Sequence, residues 1–168
     1  TTGSDNTSVG VGAMAANTTG TNNVAVGRQA LDANTTANNN TAVGKSALGA
    51  NTTGTANAAL GAFAADAITT GSNNTAVGYN SLTVATTGDS NTAIGHQALL
   101  LNTTASNNTA VGYQAGYSNT TSAGNVFLGY FAGNASTGAS NTYVGSGAGY
   151  LMTTGARNTI LGQFSGNQ

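Results

Sequence analysis

Residues 39–54 read Asn39-Asn40-Thr41-Ala42-Val43-Gly44-Lys45-Ser46-Ala47-Leu48-Gly49-Ala50-Asn51-Thr52-Thr53-Gly54, and close variants of this string fill the chain on both sides. Its first glycine recurs at Gly10, Gly27, Gly44, Gly61, Gly78, Gly95, Gly112, Gly129, Gly145 and Gly162, every step being 17 except the 16 between Gly129 and Gly145. Four places before each of these stands an asparagine: Asn6, Asn23, Asn40, Asn57, Asn74, Asn91, Asn108, Asn125, Asn141 and Asn158. A fixed period of this size marks a solenoid, in which each unit contacts only its neighbours. The chain therefore reads as all-β, a β-solenoid (parallel β-roll) of ten 17-residue coils, with residues 1–168 forming one repeat array.

Inside the unit, Asn-Thr-Ala-Val alternates and is rich in β-branched residues, so it reads as a short strand that ends at a glycine able to take positive φ. Alternation puts Asn40 and Ala42 on one face and Thr41 and Val43 on the other. The aliphatic face, carrying Val9, Val26, Val43, Leu60, Val77, Ile94, Val111, Leu128, Val144 and Leu161, is expected to point into the coil. A second extended piece is expected next, with a small residue such as Ala30 or Ala47 beside Met14, Leu31, Leu48, Leu82 or Leu99, followed by the Asn-Thr-Thr-Gly turn.

Stacked coils would bring equivalent residues to about 4.8 Å, the strand spacing, and ten of them would span about 48 Å. At that spacing the asparagines can bond amide to amide in a ladder, and the threonines at Thr18, Thr35, Thr52, Thr69, Thr86, Thr103 and Thr120 can form another. The core is thin for a chain that must order each residue at a cost of about 1–2 kcal/mol, so association with other copies is expected.

Two phases of the repeat exchange volume. Two places before the glycine the chain carries Ser8 or alanine through Ala110, then Phe127, Tyr143 and Ile160. Four places after it, Leu31, Leu48, Leu82 and Leu99 give way to Gly116, Gly133, Gly149 and Gly166. Close packing implies that these phases adjoin. Coil seven, with Ala110 and Gly116 together, would need a filler, for which Tyr117 is the candidate.

Composition limits the chemistry. Hydrophobic residues make up 39% of the chain and charged residues 4%, with a net charge of −1 and no cysteine or proline. A flexible Gly/Ser/Thr/Asn linker would not hold an aliphatic residue at one phase of the period. Arg28, Lys45 and Arg157 cannot neutralise a run of phosphates, which argues against nucleic acid. No apolar run approaches the roughly 20 residues of a membrane span, and the opening Thr1-Thr2-Gly3 has neither an initiator methionine nor a signal-peptide pattern, as expected of an excised or processed segment. His96 is the single histidine, and Asp5, Asp32, Asp66 and Asp89 read as scattered over different phases. Neither a catalytic pair nor a metal or calcium site is expected, and no cofactor. Gly145-Ser146-Gly147-Ala148-Gly149 is coil nine in register and not a phosphate loop.

The units Asn74-Thr75-Ala76-Val77-Gly78-Tyr79-Asn80-Ser81-Leu82 and Asn108-Thr109-Ala110-Val111-Gly112-Tyr113-Gln114-Ala115 resemble the head repeats of trimeric autotransporter adhesins and, more closely, the Asn-Thr-Ala-Val-Gly-Tyr-Gln-Ala-Leu arrays of phage tail-fibre-type proteins. The resemblance covers all ten repeats, although the period of 17 exceeds that of typical adhesin heads. It implies a left-handed roll, three copies around a common axis, and a homotrimeric fibre.

The position after the glycine runs Val11, Arg28, Lys45, Ala62, Tyr79, His96, Tyr113, Tyr130, Ser146, Gln163. Its charges mark it as solvent-facing, and Tyr79, His96, Tyr113 and Tyr130 would line up as a candidate stripe for stacking on sugar rings, or as an aromatic ladder that only stiffens the surface. Asn-x-Ser/Thr sequons occur at Asn6, Asn17, Asn34, Asn39, Asn51, Asn73, Asn102, Asn107, Asn119 and Asn134, and the turn set Asn17, Asn34, Asn51, Asn102 and Asn119 is the candidate glycosylation row. The expectation is a non-enzymatic, extracellular, cell-surface or virion fibre segment, a rigid spacer whose partners are copies of itself, as a homotrimer or end to end, and cell-surface carbohydrate. The alternative is an ice-binding solenoid using threonine rows, which the adjacent pair Thr52-Thr53 disfavours because such a pair would point to opposite faces.

Overall fold

The computed structural model describes residues 2–167. Thr1 and Gln168, which enter the expectation of end-to-end joining, lie outside the described residues. Ten three-residue strands recur with the repeat: β1 (Thr7–Val9), β2 (Val24–Val26), β3 (Thr41–Val43), β4 (Ala58–Leu60), β5 (Thr75–Val77), β6 (Thr92–Ile94), β7 (Thr109–Val111), β8 (Val126–Leu128), β9 (Thr142–Val144) and β10 (Thr159–Leu161). They lie side by side in chain order as one parallel sheet. Register is strict, with Thr41 opposite Ala58, Ala42 opposite Ala59 and Val43 opposite Leu60.

The rest of each coil is the crossover that a parallel pair requires, and it is laddered as well. Leu48 N–H donates to the Ala64 carbonyl at 3.0 Å, Ala50 to Asp66 at 2.9 Å and Thr52 to Thr69 at 2.9 Å. The expected second extended piece is instead a run of turns. Gln29 and Ser46, two past their glycines, and Leu31, Leu48, Leu82 and Leu99, four past, have φ between 50° and 58°. Left-handed residues at alternate positions curl the chain back while its carbonyls still serve the neighbouring coil. The corner itself requires glycine, because at Gly27 φ is 135° and a Cβ would lie 2.7 Å from the carbonyl carbon of Gly44.

The face that points inward is the opposite of the one expected. Ala42, Ala76 and Ala110 are fully buried, as are Asn40 and Asn108, whereas Val9 is 57% and Leu60 52% exposed. The cause is the width of the coil. Leu48 and Asn51 enter from the far wall and are buried too, so the strand's inward place has room for little more than a methyl group. The larger residue of the alternating pair is left outside.

Asparagine belongs inside because the turn leaves a carbonyl there. Gly54 O accepts from Asn40 Nδ2 at 2.9 Å and from Asn51 Nδ2 at 3.0 Å. Ala37 O accepts from Asn23 and Asn34 in the same way. The amide oxygen runs along the axis: Asn23 Oδ1 accepts the Asn40 backbone N–H and Asn40 Oδ1 that of Asn57, both at 2.9 Å. Amide-to-amide bonds add to this further along, as from Asn91 Nδ2 to Asn74 Oδ1 at 3.2 Å. The threonine row is bonded differently from expectation, since Thr35 Oγ1 donates to the backbone carbonyl of Thr52 at 3.2 Å and not to a neighbouring hydroxyl.

The short step of 16 residues is absorbed at this outer corner. Thr137 N–H donates to Thr153 O, one turn residue is missing, and β8 and β9 still pair Val126 with Thr142. The volume exchange is real. A Cβ on Gly133 would collide with the Phe127 ring, and one on Gly149 would lie 2.6 Å from Tyr143 Cδ2. Phe127 also solves coil seven: it sits 2.5 Å from where a Gly116 Cβ would be, so the ring of the next coil, and not Tyr117, occupies that gap.

Phe127→Ala is expected to cost about 3–5 kcal/mol, and adding Gly133→Leu to recover most of it, because leucine already accepts φ near 50° at this phase; urea denaturation of the single and double variants measures both. Asn74→Ala removes the side-chain donor to Gly88 O and the acceptor of the Asn91 N–H, two buried groups worth about 1–3 kcal/mol each. Asn51→Ile with Leu48→Ala, which copies Ile68 and Ala65 one coil later, is expected to cost less in the same assay than Asn51→Ile alone, because the pair conserves the coil's volume and Gly54 O keeps Asn40.

Candidate functional surfaces

Two surfaces stand out once the coil is closed. The first is the outer face of the sheet. Each strand turns its first and third residues outward, so the face reads Thr-x-Val at β3, β5, β7, Thr-x-Ile at β6 and Val-x-Leu at β8. None of its residues is charged. The aliphatic row, exposed at Val9, Leu60, Ile94 and Leu161, runs the length of the sheet, about 43 Å from first strand to last at the strand spacing. Scattered apolar residues on a surface mean little, whereas a continuous row is a candidate contact face. Sequence periodicity found the row but assigned it to the core.

The second surface lies just past the glycine corner. Tyr79, His96, Tyr113 and Tyr130 form the expected stack, with centroids 5.5, 5.2 and 5.4 Å apart and interplanar angles of 20°, 9° and 18°. Their faces are turned onto each other, so the stripe offers ring edges, phenol hydroxyls and the imidazole to solvent. Phe63 closes one end edge-on to Tyr79 at 6.1 Å, and Lys45 Nζ sits 4.8 Å over the Phe63 ring. Phe131 packs against Tyr113 and Tyr130 at the other end. Beside the rings, Gln114 Nε2 donates to Gln97 Oε1 at 2.6 Å. The phase-by-phase reading of the sequence missed Phe63, Phe131 and the glutamines because they stand one place further along.

The carboxylates are less scattered than expected. Asp32 and Asp66 each follow their glycine by five places and line one shallow groove with Gln29, Ser46, Gly49 and Ala50. Burial pushes the Asp66 carboxyl above the usual carboxylate range, opposed by a hydrogen bond with the Gly49 backbone. A hollow among Met152, Ile160 and Phe164 is the core itself, seen where the last coil ends. Among the described residues no helix is long and apolar enough to cross a membrane.

Four of the five turn asparagines are placed where no glycan can reach in the folded chain, and the fifth, Asn17, is half-buried. Asn34, Asn51, Asn102 and Asn119 are fully buried, and Asn17 donates to Gly20 O and accepts from Asn34. The expectation of a glycan row on the Asn-Thr-Thr turns is therefore wrong: that asparagine is the inward clamp of the corner. Sequons with exposed asparagines remain at Asn39, Asn73 and Asn107.

Compared with protein-family models, with characterised proteins and with solved structures, the chain finds no match.

If the chain is secreted from a host that modifies Asn-x-Thr, glycopeptide mass spectrometry is expected to find glycan at Asn39, Asn73 and Asn107 and none at Asn34, Asn51, Asn102 or Asn119 in folded material.

Proposed function

We propose that this chain is a non-catalytic structural segment of an extracellular or virion fibre, in which copies associate, most simply as a homotrimer, through the outer face of the sheet. The observation that carries the reading is the uncharged aliphatic row, which a lone coil leaves in water. At about 25 cal/mol per Å² of apolar surface, covering such a row on each copy offsets the poverty of a core built mainly from alanine and asparagine. The likeness of the repeats to trimeric adhesin heads and tail-fibre arrays supports the same assembly. As a rod with hydrogen bonds along its whole circuit, the segment serves as a spacer that holds flanking parts apart and presents its surface rows to a host.

One observation favours a second reading, ice binding. Outward threonines occur at one phase of the sheet in Thr7, Thr41, Thr75, Thr92, Thr109, Thr142 and Thr159, at about 4.8 Å per coil. These are not the turn threonines, so the objection from the pair Thr52-Thr53 does not apply to them. Val24, Ala58 and Val126 interrupt the row and leucines roughen the one beside it, which is why the fibre reading is preferred. Both readings claim the same face.

Sedimentation of the intact chain is expected to give an oligomer, and Val77→Lys with Val111→Lys to give a monomer whose far-ultraviolet spectrum is unchanged. A native monomer that shows thermal hysteresis, lost in the same double variant, would replace the fibre reading by the ice-binding one.

A further inference from the structure

The row past the glycine corner carries two different chemistries in one line. Arg28 and Lys45 lead it, and the ring stack follows. They are physically joined: Lys45 Nζ lies over Phe63, and Phe63 meets Tyr79 edge-on. From Lys45 to Tyr130 the line covers six coils, about 24 Å at the strand spacing. Neither this row nor the one beside it contains a carboxylate from Arg28 to Phe131, although the chain as a whole is slightly acidic.

What such a line can hold follows from its groups. The ring faces are consumed by stacking, so a ligand meets the ring rims with their three phenol hydroxyls and one imidazole, and the Gln97–Gln114 amide pair; the hydroxyls, the imidazole and the amides all exchange hydrogen bonds with sugar hydroxyls. The groups repeat along a straight axis, which suits an extended ligand. The cations sit at one end with no carboxylate in their own row, Asp32 and Asp66 lying further round the coil in the groove beyond Gln29 and Ser46, and this suits a single anionic group on that ligand. Two cations are too few for a polyphosphate backbone, whose affinity rests on many such contacts.

We infer that this row binds a strand of acidic polysaccharide, a uronate-type chain laid along the solenoid axis, with a carboxylate at Lys45 and Arg28 and sugar hydroxyls on the edges of Tyr79, His96, Tyr113 and Tyr130. The inference rests on the fibre reading only for its biological setting. It names the class of host-surface ligand that the spacer would touch, and it replaces stacking on ring faces by hydrogen bonding to the phenol hydroxyls and the imidazole at the ring rims.

The test is calorimetric titration of the intact chain with hexagalacturonate, with its neutral methyl ester, and with single-stranded DNA of equal charge. The acid oligomer is expected to bind in a salt-sensitive way, the ester about threefold to fivefold more weakly, the scale of one exposed ion pair. Lys45→Gln with Arg28→Gln should reduce acid binding to the level of the ester. Replacing Tyr79, Tyr113 and Tyr130 by phenylalanine keeps the stack and should weaken both sugars equally. No heat with the acid oligomer, equal binding of acid and ester, indifference to the Lys45 and Arg28 changes, or preference for DNA would each overturn the inference. Sedimentation of the same samples separates the two ideas: a monomer that binds the oligomer leaves this inference standing and removes the fibre reading, and a trimer that ignores it does the reverse.

Discussion

Everything in this solenoid follows from a carbonyl at the corner of each coil that must be paired without water. At Gly54 two asparagines reach it from different walls, Asn40 from before the strand and Asn51 from the turn. A buried unpaired carbonyl would cost about 1–3 kcal/mol, and there is one per coil. Meeting that demand from both sides pins the walls at a fixed separation. With Leu31, Leu48, Leu82, Leu99 or, in one coil, Ile68 entering from the far wall, little room is left on the inner face of the strand, which holds alanine from Ala25 to Ala110. The bulky member of each alternating pair is driven outward, and an exposed aliphatic row results. The exposed row is thus a consequence of how the interior is satisfied.

Where the clamp is altered the packing answers locally. At Ile68 and Ala85 the turn asparagine is absent, and Gly71 O and Gly88 O are held by Asn57 and Asn74 alone. Ile68 brings the volume that Ala65 lacks at the leucine phase, and in the next coil Leu82 and Ala85 reverse the arrangement; all four are buried. In the final coils the exchange crosses to the strand. Phe127 and Tyr143, with centroids 5.6 Å apart, fill the space that leucines vacate at Gly116, Gly133 and Gly149. Total interior volume is what each coil conserves, and the wall that supplies it is free to change.

The architecture was legible because it is periodic: the glycine corner and the asparagine before it mark every coil and the strand between them. The inside of the coil was not. Alternation separates Asn40 and Ala42 from Thr41 and Val43 but does not say which pair faces the core, and hydrophobicity alone chooses the wrong one, because the amide's partner is a carbonyl that only the closed turn creates. The same blindness made Asn34 and Asn51 look like glycan acceptors. It hid Asp32 and Asp66 in one groove, although both stand five past a glycine. The Phe127–Gly133 contact, by contrast, could be read from the sequence, since a ring gained and a leucine lost in the same coils balance only if the two side chains compete for one space.

A one-dimensional repeat also explains why the outer rows carry whatever chemistry they do. Each surface position sees its equivalent about 4.8 Å above and below, so a ring at one coil makes a ring at the next favourable by stacking, and Tyr79 to Tyr130 is the result. The same geometry closes the ring faces. A stack whose planes lie within 20° of parallel at centroid separations of 5.2–5.5 Å has no room for a sugar between rings. Recognition on a solenoid row must therefore work through edges and termini, and it gains strength by repetition along the axis and not by depth at one point. From Arg28 onward the row passes from cations to phenols and an imidazole, so its chemistry has a direction along the axis.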